Sequence, residues 1–126
     1  MSLILDAGAL IAIERRDGTA TRILRYERAS RRTPITHGGV VGQVWRGGSG
    51  RQAILAMLLP ALKIVPLDER LGRRAGTLLA RTGTSDVVDA AVVLLAEDGD
   101  WILTSDPQDL APLVEAAGLH VDVISI

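Results

Sequence analysis

Short apolar runs alternate with longer stretches of helical periodicity along the whole chain, and that alternation constrains the fold class most. SLIL (2–5), the brief 34–36 segment, KIVP (63–66), WILT (101–104) and 119–124 are too short for helices and rich in branched apolar residues. Runs of that kind are what strands buried on both faces look like. Between them, helical patterns cover 7–16, 19–32, 40–46, 52–62, 68–81, 86–97 and 107–117. Parallel strands need a crossover connection, usually a helix, so strands alternating with helices imply parallel pairing. The expected fold is α/β, a three-layer α/β/α sandwich around a central, mainly parallel sheet, with residues 1–126 as one domain. In the 19–32 helix we expect Ile23, Leu24 and Tyr26 to face inward, with the arginines elsewhere.

Composition removes several functional classes. The chain has no Cys, so it carries no disulfide framework, thiol nucleophile or cysteine-based zinc site. His37 and His120 are too few and too scattered for a histidine-rich metal centre. Phe is absent and only Tyr26, Trp45 and Trp101 are aromatic, which argues against an aromatic platform for stacking RNA bases. The longest charge-free apolar stretch, 53–62, is interrupted by Pro60 and falls far short of the roughly 20 residues that span a bilayer. The N-terminal segment has no basic region and meets Asp6 early, unlike a secretory signal. A cytoplasmic protein with no membrane partner is the expectation.

The formal net charge of −1 hides an asymmetry. Residues 1–82 hold all 14 basic residues and six acids, a balance of +8; residues 83–126 hold nine acids and neither Lys nor Arg, a balance of −9. The acids also have telling positions. In open parallel sheets the functional crevice lies beyond the carboxyl ends of the strands. Asp6 directly follows the first strand and Asp106 follows WILT, while Asp86 and Asp89 stand where a polar loop becomes an apolar helix. If the first and WILT strands are neighbours, carboxylates from three segments converge on one sheet edge. Such carboxylates repel one another unless a cation joins them, and Mg²⁺ or Mn²⁺ is the natural oxygen-bound candidate. Helix capping accounts for each acid singly, because Asp is a favoured N-cap and Pro107 suits a first helical position. Capping does not require that the acids follow strands whose ends meet.

The segments ILDAGALIAIE, GQVWRGG, SDVVDAAVVLLA and WILTSDPQDL stand in the order seen in PIN-domain proteins. The chain most resembles the VapC-like toxin ribonucleases of VapBC-type toxin–antitoxin pairs, over nearly its whole length. The resemblance implies an acidic metal site, Mg²⁺- or Mn²⁺-dependent hydrolysis of RNA phosphodiester bonds, and a VapB-like antitoxin partner. Carried over by position, Asp6, Asp89 and Asp106 match the metal-binding acids and Thr104 the hydroxyl residue two before the last. Asp86, one turn before Asp89, joins them as a fourth catalytic carboxylate. The family usually has Glu where this chain has Gln43, a neutral amide that brings no charge and no base. Two functions therefore stay open, a working ribonuclease and a PIN-like binding module with a weakened or inactive site. A receiver-type phosphoacceptor domain fits worse, because Asp6 is followed by Ala7, Gly8 and Ala9 and the single Lys, Lys63, opens a middle strand. Seven arginines between 14 and 32 suggest a track for the RNA backbone or a surface for an antitoxin, with Arg46 a further phosphate or partner contact. Apolar helices such as 52–62 suit a homodimer. Asp109 is expected to be solvated or to sit behind the ligands.

Overall fold

The computed structural model describes residues 1–47 and 50–126. Its strands are β1 (Leu3–Leu5), β2 (Ile35–His37), β3 (Lys63–Val65), β4 (Trp101–Thr104) and β5 (Asp122–Ser125). Its α-helices are α1 (Ala7–Glu14), α2 (Gly18–Ala29), α3 (Gly38–Val44), α4 (Ala53–Leu58), α5 (Glu69–Thr82), α6 (Val87–Leu95) and α7 (Pro107–Ala117). The strands form one sheet in the order β3-β2-β1-β4-β5, and every pairing is parallel. The α/β/α expectation holds, with the sheet fully parallel.

The sequence of β1 explains its place at the centre. Leu3, Ile4 and Leu5 are all completely buried, so both faces of the strand need cover. One cover is α1, which packs on β1 and β4 and on α2, α3 and α4; the other is formed by α5, α6 and α7, with α6 against β1 and β2 and α7 against β5. Ala90, Ala91, Val92 and Val93 of α6 are all fully buried. A helix apolar all round is a buried helix. α5 is the opposite case: it hides Leu71, Ala75 and Leu78 on one stripe and turns its arginines outward. Burying a leucine of such a stripe contributes about 1.5–3 kcal/mol.

Three expectations need correction. The 52–62 segment is not one helix: α4 stops at Leu58 and a 3₁₀ turn covers Leu59–Ala61, because Pro60 has no N–H to continue the ladder. α3 begins at Gly38, two residues early, because His37 caps it. On α2 the buried residues are Ala20, Leu24 and Glu27, while Tyr26 is 56% exposed. Among the described residues no helix is long and apolar enough to cross a membrane.

Candidate active site

The register of β1 against β4 builds the site. Leu3, Ile4 and Leu5 pair with Trp101, Ile102 and Leu103, so the two strands end level, and the Asp6 N–H donates to the Leu103 carbonyl at 3.4 Å. The condition placed on the acids is met: the strands that precede Asp6 and Asp106 are neighbours. Close approach of the two strand-end loops depends on Gly8, since a Cβ there would collide with the Ser105 side chain.

Each acid is held differently. Asp6 is 6% exposed and its Oδ1 accepts from the Ala9 N–H at 2.8 Å, so it does cap α1. Burial raises its pKa above the usual carboxylate value and the Asp106 charge adds to this, while the Thr104 hydroxyl and the Ala9 and Gly8 amides oppose it. Thr104 is fully buried, and its Oγ1 accepts from the Asp106 N–H at 3.0 Å. One hydroxyl thus stands between the two strand-end acids. Asp106 occupies the N-cap position of α7 and makes no capping bond with its side chain. Its exposed carboxylate accepts only a long contact from the Ser105 hydroxyl, 3.4 Å. Capping therefore does not explain Asp106.

Asp86 caps α6, its Oδ1 accepting from the Asp89 N–H at 3.0 Å. Asp89, half-buried on the first turn of α6, has its pKa pushed up to about 6. Desolvation is the main cause, followed by the charges of Asp86, Asp6, Asp109 and Asp106. Asp89 lies within the electrostatic reach of every other acid singled out by the sequence, Asp109 included. A groove of about 410 Å³ runs beside it, lined by Thr84, Ser85, Asp86, Gln108 and Asp109.

His37 is the residue that sequence reasoning missed. It is completely buried at the end of β2; its Nδ1 accepts from the Gly39 N–H at 3.0 Å and its Nε2 lies 3.0 Å from the Val88 carbonyl. Since Nδ1 accepts, Nε2 carries the proton and donates. The ring joins the start of α3 to the turn that carries Asp89, and burial lowers its pKa, so it is held neutral. Gly39 makes room for it, because a Cβ at 39 would press on the imidazole and on Leu67. The adjacent His-Gly-Gly at a strand end was the available signal. Two other expectations are placed as follows. Gln43 is exposed on α3. Arg46 folds back on α3, donating to the Gly42 and Trp45 carbonyls at 3.1 and 2.9 Å, so it serves to close that helix.

Among the described residues no three carboxylate or imidazole groups stand close enough to grip one metal ion jointly as placed. The donor chemistry nonetheless suits a hard dication, because the acids supply only oxygen and their charges help raise the pKa values of Asp6 and Asp89. Mg²⁺ commonly keeps several waters and takes one or two carboxylates directly.

Comparison with known proteins bears on the fold. No protein-family model matches the chain, and no curated protein matches it. Among solved structures, it resembles a chain of VapBC2 from Rickettsia felis, crystallised bound to a DNA fragment from their promoter. The TM-score is 0.67 at 15% identity, with 98% of each chain covered. The likeness extends over essentially the whole of both chains, and the protein has the PIN-like α/β/α fold that its motifs led us to expect.

Proposed function

We propose that residues 1–126 act as one domain, a metal-dependent endoribonuclease serving as the toxin of a VapBC-type pair in the cytoplasm. The observation that carries this is the meeting of Asp6 and Asp106 at the level ends of β1 and β4, with Asp89 electrostatically coupled to both. Among the described residues no Lys or Arg pairs with these carboxylates, and mutual repulsion of that kind suits a place prepared for a cation. Asp6, Asp89 and Asp106 would hold Mg²⁺ or Mn²⁺ through a partly hydrated shell. When bound, such an ion lowers the pKa of a water and offsets charge on the phosphate and the departing oxygen. The protein's own part is positional. Thr104 keeps Asp6 and Asp106 in register, Asp86 holds the first turn of α6 and adds a fourth charge, and His37 fixes that turn from beneath. The fold shared with a VapBC2 chain supports the toxin assignment and a VapB-like antitoxin as partner. The homodimer expected from the apolar helices belongs to this reading.

The test is incubation of pure protein with cellular RNA in Mg²⁺, Mn²⁺ or EDTA, beside Asp6→Asn. Metal-dependent cleavage lost in the variant is the expected result. Equal RNA decay in both proteins, or none in either, sinks the assignment. Gln43→Glu separates the two readings left open by the sequence: if Gln43 weakens the site, the restored acid raises cleavage, and a site already working gains little.

A further inference from the structure

The acidic groove shares a seam with a basic one. On α7, Leu113 lines the groove beside Asp89, and Ala117 lines a second groove of about 330 Å³ walled by Arg73, Arg74 and Arg81 of α5. Residues four apart lie on the same helix face, so the two grooves are consecutive stretches of one surface. At the other side Arg81 stands three residues before Thr84, which lines the acidic groove. The three arginines are exposed over a floor of Leu78 and Leu94. Arg73 pairs with the equally exposed Glu69 at 2.9 Å, an i,i+4 contact of little strength. Among the described residues Arg74 and Arg81 make no ion pair.

Building on the nuclease reading, we propose that this groove along α5 holds the sugar–phosphate backbone of the RNA strand on one side of the bond to be cut. A cluster of acids repels phosphate, so a strand delivered to it must be held by cations placed further along its path. Guanidinium groups suit that task, because their fork of N–H donors matches phosphate oxygens. Contacts to phosphate are blind to sequence, so the groove sets affinity and path and leaves target choice to other residues.

A second arginine-lined groove exists, and its place argues against it as this path. It is larger, about 620 Å³, and sets Arg16, Arg22, Arg25 and Arg28 around Ile13 and Leu24. Ile13 and Arg16 lie at the C-terminal end of α1, whereas Asp6 caps its N-terminal end. Eight helical residues, about 12 Å of rise, separate the two ends. Of these two grooves, the one along α5 is bordered, like the acidic groove, by α7.

The test compares wild type, Arg74→Glu/Arg81→Glu and, as a control of equal charge change, Arg22→Glu/Arg25→Glu. Binding of a labelled single-stranded RNA is read by fluorescence anisotropy in EDTA at several salt concentrations. Cleavage of RNA and of bis(p-nitrophenyl) phosphate, too small to reach α5, is read with Mn²⁺. The α5 variant should bind RNA about tenfold more weakly, with the salt slope flatter by about 0.7 for each phosphate it no longer neutralises. Its deficit in RNA cleavage should appear in KM, and hydrolysis of the small diester should stay unchanged. Three results overturn the proposal: no RNA binding by wild type, equal affinity in the α5 variant, or an equal weakening in the control. Affinity for RNA unchanged beside failed capture of an acidic antitoxin would assign the groove to the protein partner and overturn it as well. Groove-dependent binding with no cleavage would remove the nuclease reading and leave the groove standing.

Discussion

Of the three carboxylates buried among the described residues, Asp100 accepts from the Ser2 and Glu97 amides, and the other two, Glu27 and Asp6, are held under opposite conditions. Glu27 is completely buried on α2, and Arg32 closes on it with two bonds of 3.0 Å, Nε to Oε2 and Nη2 to Oε1. The chain bends to make this possible: Arg31 takes φ 57°, a left-handed conformation costing roughly 1–2 kcal/mol for such a residue, and Arg32 then lies 5.5 Å over the Tyr26 ring. Asp6 is nearly as buried, yet its neighbours in charge are other acids. The same functional group is neutralised locally in one place and left in mutual repulsion in the other. Among the described residues no Lys or Arg forms an ion pair with the strand-end acids. That contrast marks the first region as architecture and, on the function proposed above, leaves the second to a cation.

The largest effect is expected where the neutralised carboxylate loses its partner. Arg32→Leu leaves the fully buried Glu27 without its counter-charge, which is strongly destabilising although Arg32 itself keeps 31% of its side chain exposed. The double change Glu27→Leu/Arg32→Leu should recover most of the lost stability. Denaturant unfolding decides the matter: a loss below about 1 kcal/mol in the single variant would mean that Glu27 is not held by this pair.

Next comes the packing that brings the acids together. Gly8→Ala drives a Cβ into Ser105, an overpacking cost of about 1–3 kcal/mol, and displaces the neighbouring Asp106. Cleavage should fall further than the loss of folded protein accounts for. An unchanged melting temperature would show that the loops do not need this approach.

Asp89→Asn should do the reverse and stabilise. The folded pKa of Asp89, about 6, lies above the ordinary 3.8, so its favourable contribution is complete below pH 3.8 and is lost as pH rises through 6. The asparagine variant should therefore match wild type near pH 4 and exceed it at pH 7. The gain is roughly 1 kcal/mol once solvent access to this half-buried group is discounted. Added Mg²⁺ should narrow the gap at pH 7 by stabilising wild type alone. A gap independent of pH would deny the repulsion.

The smallest effect belongs to His37, and its sign is opposite. Its folded pKa is depressed below 6.5, so the stability it contributes is present above pH 6.5 and lost as pH falls toward the folded value. Protonation also removes the acceptor that caps α3. Unfolding of His37→Asn should vary less with pH below 6.5 than that of wild type; an equal dependence would detach the ring from this behaviour.

The strand-end acids were legible because they depend on local pattern. Apolar runs set β1 and β4; Asp6 follows the first directly and Asp106 follows the second after Ser105. Even the phase of α2 was present in principle: Ala20, Leu24 and Glu27 lie on one stripe, and only the charge of Glu27 argued against burial there. Its acceptance depends on a residue five positions away and beyond the end of the helix, which periodicity does not convey. His37 and Val88 are 51 positions apart, and no local rule links an imidazole at one strand end to a carbonyl in a later helix. Which side chains cap and which stand free was equally invisible: Asp86 and Asp106 precede helices in the same manner, yet only Asp86 caps with its side chain.

The level ending of β1 and β4 carries a consequence for the order of assembly. Asp6 and Asp106 are a hundred positions apart in the sequence, and the strand between β2 and β4 in the sheet is the one formed from the earliest residues. Contacts of such separation carry a large loop-closure entropy and tend to slow folding. During synthesis β1 must wait for both of its neighbours, and the pairing with β4 comes only after nearly all of the helices have been made. A chain that emerges in order from Asp6 therefore cannot complete its acidic cluster early, and topology alone delays the meeting of Asp6 and Asp106 until β4 is in place.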